Sequence, residues 1–268
     1  MTHRERLMAV LNYEQYDRLP VIHFGFWPET VDKWASEGHI PAEWAEEYWK
    51  SGDSVDGSEA DVLIGRRLGF DYNYYTTVQV NTLWPQFEQK VVKVLPDGSR
   101  HVINEDGAIV LQKDGARCIP MEIDHLLKDR ESWEKEFKPR LQWSDERIDW
   151  KRLEQIAADN GRREYPLGLY CGSLFGRIRN WLGLVGVSYL YVDDEDLYDE
   201  IIDTLGELQY RIVEALVNSG IQFDFAHFWE DIAGRDGPLV TPSVFYEKVG
   251  PKYKRITDLL HEIGRAHV

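Results

Sequence analysis

The stretch from Ile221 to Gly264 most constrains how this chain can fold. Ile221-Gln222-Phe223-Asp224-Phe225-Ala226 is an apolar run of strand length. It ends in His227-Phe228-Trp229-Glu230-Asp231, and a turn-rich segment, Gly234-Arg235-Asp236-Gly237-Pro238, follows. Thr241-Pro242 then opens a helix that reads through Tyr253 and Ile256 to Leu259-Leu260 and stops at Gly264. A strand that hands two carboxylates to a loop before a helix suits an α/β barrel, whose sites sit at the C-terminal ends of strands. A second unit of the same form lies upstream. Tyr165 to Cys171 is its strand, Gly172-Ser173-Leu174-Phe175-Gly176 its small-residue loop, and Arg177 to Leu182 the start of its helix.

The rest of the chain fits the same alternation. Thr2 to Asn12 reads as a short helix, with Thr2 and Glu5 spaced as a capping box. Asp17-Arg18-Leu19-Pro20 leads into a strand at Val21-Ile22-His23-Phe24. Residues 28–50 read as helix in two pieces broken at Gly38 to Pro41, with Trp34, Trp44, Tyr48 and Trp49 at helical spacing and read as core-facing. A loop over 51–57 precedes a helix from Ser58 to Leu68, closed by Gly69, and a strand from Phe70 to Val80. Residues 87–123 change character. Alternating runs joined by Pro96-Asp97-Gly98, Glu105-Asp106-Gly107 and Asp114-Gly115 predict an antiparallel β-meander inserted in the main domain. Arg130 to Phe137 and Asp149 to Asn160 read as helices. A long amphipathic helix runs from Val192-Asp193-Asp194-Glu195 to Val217 and buries Leu197, Ile201, Leu205, Leu208, Ile212 and Leu216.

Strands near 21, 72, 166 and 221, each followed by helix, predict a parallel α/β fold. No Gly-x-Gly-x-x-Gly follows any of them, which counts against a dinucleotide-binding sheet. Composition narrows the function. A formal net charge of -16 disfavours a nucleic-acid backbone or an anionic membrane as partner. The two cysteines, Cys118 and Cys171, make neither a disulfide framework nor a metal-ligand pattern and fit a reducing, cytoplasmic setting. No run approaches the ~18 apolar residues of a membrane helix, and the polar start is no signal peptide.

Several segments together resemble the uroporphyrinogen decarboxylase superfamily. They are Arg4-Glu5-Arg6-Leu7 with Asp17-Arg18-Leu19-Pro20-Val21, Gly172-Ser173-Leu174-Phe175-Gly176 with Asp193-Asp194, and Asp236-Gly237-Pro238-Leu239 with Pro251-Lys252-Tyr253-Lys254-Arg255-Ile256. The resemblance implies a (β/α)8 TIM barrel. By that measure residues 1–268 form one incomplete barrel domain, cut after four to five strands, with roughly the last third absent and the meander as an insertion. It also implies one of two chemistries. The decarboxylases of tetrapyrrole (porphyrin) biosynthesis are cofactor-free lyases. Their relatives are methyltransferases that work with a corrinoid, carried by a partner protein, and a zinc-activated thiolate. The stretch after the first strand, Gly25-Phe26-Trp27-Pro28-Glu29-Thr30, lacks the decarboxylase arginines, and Tyr72-Asn73-Tyr74-Tyr75-Thr76 lacks the aspartate. Methyl transfer is therefore the preferred expectation and decarboxylation the alternative. No cofactor is visible in this chain; zinc would need ligands beyond Val268, and His267 is not assigned to it.

The candidate catalytic residues are Glu230, Asp231 and His227, for acid-base work or for holding a polar substrate. Each has a plain structural alternative: the acids capping their loop and pairing with Arg235, the histidine sitting in the core. Arg179 and Asn180 are candidates for binding a small-molecule substrate, Arg179 as an anion anchor with a surface ion pair as its alternative. His23, Trp27, Tyr74 and Tyr75 join them by their position at strand ends. Two further classes remain open, a carboxylate-pair hydrolase and a non-catalytic fragment. Exposed strand edges lead us to expect self-association, with a homodimer as one form.

Overall fold

Short parallel ladders and a larger antiparallel sheet carry the architecture. The computed structural model describes residues 1–51, 57–74, 77–113 and 119–262. In chain order the first part is α1 (His3–Leu11), β1 (Ile22–His23), α2 (Pro28–Ser36), α3 (Ala42–Lys50), α4 (Glu59–Leu68), β2 (Tyr72–Asn73) and β3 (Thr77–Val78). The strands β4 (Lys90–Val94), β5 (Arg100–Ile103), β6 (Ala108–Gln112) and β7 (Met121–His125) follow. Next come α5 (Arg130–Ser132), which continues as a π turn and a 3-10 turn to Leu141, α6 (Trp150–Ala158), β8 (Gly168–Tyr170), α7 (Phe175–Asp193), α8 (Glu195–Val217) and β9 (Phe225–His227). The last elements are a small hairpin of β10 (Ala233–Gly234) and β11 (Gly237–Pro238), then α9 (Pro242–Val244), a π turn to Val249, and α10 (Gly250–Glu262).

Local chemistry accounts for the helix ends. Thr2 Oγ1 accepts from Glu5 N at 3.1 Å while Thr2 N donates to Glu5 at 2.8 Å, a reciprocal cap. Ser58 Oγ accepts from Asp61 N to start α4, and Gly69, at φ 87°, ends it in the left-handed region. Asp149 and Asp194 cap α6 and α8. The amphipathic face of α8, which includes Tyr198, packs into the main core with Trp133, Phe137 and Trp181. Val31, Tyr48 and Ile64 form a second core under α2, α3 and α4.

The barrel expectation does not hold. β1 pairs in parallel with β2, and β3, β8 and β9 form a separate parallel sheet in that order. Closing a barrel requires an unbroken ring of paired strands. Among the described residues β1 pairs only with β2 and β9 only with β8, so no ring closes. The largest sheet is antiparallel, β4-β5-β6-β7. The fold is mixed α/β with several small sheets. The single strand expected over Phe70 to Val80 is two two-residue ladders, β2 and β3. Asp114-Gly115, Cys118, Gly264 and His267 lie outside the described residues. No helix among the described residues is long and apolar enough to cross a membrane.

Candidate functional site

The start of α7 organises the candidate site. Helix N-termini leave backbone N–H groups without intrahelical partners and attract negative charge. The residue at the N-cap of α7, Leu174, has no side-chain acceptor to cap it. The cap comes instead from Glu230, just after β9. Glu230 Oε1 accepts from Leu174 N at 2.6 Å and Phe175 N at 3.0 Å, and Oε2 from Gly176 N at 2.8 Å and Ser173 Oγ at 3.3 Å. The Tyr253 hydroxyl, from α10, donates to Glu230 Oε1 and accepts from Leu174 N at 2.9 Å. Burial pushes the Tyr253 phenol well above its usual value and the adjacent Glu230 charge adds to this, so it stays a protonated donor. Gly176 leaves room for this cap: a Cβ there would lie 2.3 Å from Ser173 Oγ and 3.3 Å from Glu230 Oε2, so the serine would have to turn away.

This anchoring presents the first turns of α7 to a cleft of about 200 Å³. Gln79, Tyr170, Arg179, Asn180, Trp229 and Asp231 form most of its wall. Arg179 Nη2 donates to Asp231 at 2.8 Å and to Asn180 Oδ1 at 3.1 Å. Its Nε and Nη1 make no hydrogen bond to the described residues; their N–H groups diverge on either side of Cδ, so each is a separate single donor for a ligand. Arg177, from the same turn, reaches across to Asp106 of the antiparallel sheet at 3.2 Å.

His227 is buried at the end of β9, and burial lowers its pKa from the usual value near 6.5. Its ring meets those of Tyr74, Tyr170 and Trp229, at centroid distances of 5.2, 5.9 and 6.1 Å. A neutral imidazole thus backs the two aromatic rings that line the cleft.

The structure brings Arg179, Asn180, Glu230 and Asp231 together, with His227 and Tyr74 behind them. It does not bring His23 and Trp27 to the cleft. His23 stacks on Phe26 at 4.4 Å and lines a different cavity, while Trp27 is exposed at the start of α2. Tyr75 lies outside the described residues. Arg235 pairs with its neighbour Asp236 at 3.0 Å, leaving Asp231 to Arg179. Sequence reasoning missed Ser173, Tyr170, Gln79, Trp229 and Tyr253. Tyr253 gave a weak signal, as a hydroxyl on the otherwise apolar face of α10. Among the described residues no group of three or more His, Cys, Asp or Glu could hold a metal ion, so those residues alone do not make a zinc site.

No protein-family model matches the chain, and no curated protein matches it. The structure is similar to that of a methyltransferase from Methanosarcina mazei, with a TM-score of 0.50 at 14% identity. The match covers 100% of this chain and 68% of the other. At that identity the likeness is one of fold.

Proposed function

We propose that this chain belongs to a methyltransferase-type protein and that its cleft holds a small methyl acceptor bearing an anionic group. The observation that carries this reading is the unused donors of Arg179 in a cleft beside Tyr170 and Trp229. The fold likeness to a methyltransferase supports the choice of chemistry. A guanidinium held through Nη2 by Asp231 and Asn180 keeps single donors, Nη1 or Nε, for a charge-assisted hydrogen bond to a carboxylate or sulfonate. Tyr170 and Trp229 keep water from the transferred methyl group, and neutral His227 behind them adds no charge. Glu230 and Tyr253 are positioning residues: they hold the turn that carries Arg179. A methyl-corrinoid on a partner protein is the donor class in this reading, and the setting is cytoplasmic. The acceptor thiol would lose its proton to water and take the methyl group as the donor's carbon–metal bond breaks, the electron pair staying with the donor. No step is assigned to zinc.

The test is methyl transfer from methylcobalamin to mercaptoacetate by the purified chain, followed by loss of methylcobalamin absorbance and by mass detection of the thioether. The wild type should form the thioether, and Arg179→Gln should raise the acceptor KM by about 10- to 100-fold, the worth of one charge-assisted hydrogen bond. Absence of thioether, or an unchanged KM in R179Q, contradicts the reading.

A further inference from the structure

A larger cavity, of about 310 Å³, lies between α4 and the β1-β2 pair and shares no lining residue with the cleft. Its walls are mostly apolar, with the rings of Phe70, Tyr72 and Tyr165 beside Val62. One wall residue stands out. Asp61, in the first turn of α4, is fully buried at 0% exposure. Its Oδ2 accepts from Gly57 N and from Asn73 Nδ2, both at 3.1 Å. Its Oδ1 is buried and has no hydrogen-bond partner among the described residues. The role of Asp61 at the start of the helix accounts for Oδ2 alone.

An unpartnered carboxylate oxygen in an apolar wall is costly unless something donates to it. The other ionisable groups around the cavity do not: His3 Nδ1 lies 2.8 Å from Asp71, and His23 Nδ1 accepts from Gly25 N at 3.2 Å. Asp71 also lines it, but both its oxygens are taken by Arg18 at 2.6 Å, and Val21 N donates to it at 2.8 Å. Arg66, one turn beyond Val62 on α4, is exposed and keeps its head in water. Among the described residues the cavity therefore offers an unused buried acceptor, Asp61 Oδ1, in a wall that also holds the rings of Phe70, Tyr72 and Tyr165. That combination selects a compact cation with an apolar body.

We propose that this cavity is a second binding site, for a small primary amine whose ammonium donates to Asp61 Oδ1 and whose apolar part lies against Phe70, Tyr72 and Tyr165. Burial pushes the Asp61 carboxyl above its usual value, and a bound ammonium reverses that. The amine is a ligand distinct from the anionic methyl acceptor of the cleft.

Calorimetric titration of the chain with 2-phenylethylammonium tests the site, with 2-phenylethanol as the uncharged comparison. The amine should bind at a 1:1 ratio. The alcohol should bind about 10- to 100-fold more weakly, as loss of a charge-assisted hydrogen bond requires. Asp61→Asn should weaken amine binding by a similar factor, and Val62→Trp, which narrows the cavity from its exposed side, should weaken amine and alcohol alike. The comparison of the two ligands on the wild type stands even if D61N fails to fold. No amine binding, equal binding of amine and alcohol, or full affinity in a folded D61N overturns the proposal.

Discussion

Replacing Glu230 with glutamine should cost far more stability than any other neutral swap at the cleft. Glu230 offers only acceptors, and five donors point at it: Leu174 N, Phe175 N, Gly176 N, Ser173 Oγ and Tyr253 OH. Glutamine keeps one acceptor oxygen and turns the other into an NH₂ donor. The best placement keeps oxygen on the Leu174, Phe175 and Tyr253 side. Gly176 N–H then faces another donor, while the Ser173 hydroxyl can rotate to accept. One buried N–H loses its partner, at about 1–3 kcal/mol. The negative charge at the start of α7 is lost as well, at roughly 0.3–1 kcal/mol or more when partly buried. The sum is about 2–4 kcal/mol, a drop in Tm of roughly 5–15 °C for a domain of this size. Urea unfolding read by tryptophan fluorescence measures it. Tyr253→Phe removes one donor to the Glu230 carboxylate while Leu174 N keeps its bond to Oε1, and should cost about 1.5 kcal/mol, the low end for a bond to a charged group. A loss under about 0.5 kcal/mol for E230Q, within the usual spread of surface substitutions, would refute the anchoring role. So would a larger loss for Asp231→Asn, because Asp231 is half exposed and makes a single ion pair.

Two further expectations concern buried charge. Arg163 is fully buried and pairs with Asp224 at 2.5 Å, and Asp224 also accepts from Arg4 at 2.9 Å and from Leu167 N at 2.9 Å. Asp224→Asn should therefore destabilise the chain by about 3–5 kcal/mol, the cost of a stranded buried charge, as judged by the urea midpoint. His227 titrates in the other sense from a paired histidine: its folded pKa lies below the usual value, so the unfolded chain takes up the proton first. Its contribution is complete above about pH 6.5 and is lost as the pH falls toward the folded pKa. His227→Phe should flatten that part of a stability-against-pH curve, and an unchanged slope would contradict the burial argument.

Local signals were the legible part of the sequence. The Thr2 and Glu5 cap, the start of α4 at Ser58 and its stop at Gly69 involve neighbours within a few residues, so residue type decides them. Strand pairing is not local. The apolar run from Ile221 reads as a strand, yet only Phe225–His227 pair with β8, because a ladder needs a partner of matching length. Barrel closure is more distant still, since it depends on whether the first and last strands meet, and no local pattern encodes that. The site shows the same division. Arg179, Asn180, Glu230 and Asp231 are recognisable as polar groups beside strand ends. Their partnership is not, because Arg179 and Asp231 are 52 positions apart and Glu230 and Tyr253 are 23 apart. Arg235, the nearer cation in sequence, is satisfied by Asp236 next to it.

The most direct test of the cleft as the substrate site is an amide NMR titration of the ¹⁵N-labelled chain with mercaptoacetate. Binding against Arg179 should move the resonances of Ser173, Gly176, Arg179, Asn180 and Asp231, and R179Q should abolish those shifts. A spectrum in which these resonances stay still, or in which the shifts gather instead around Asp61 and Phe70, would contradict the assignment of the cleft.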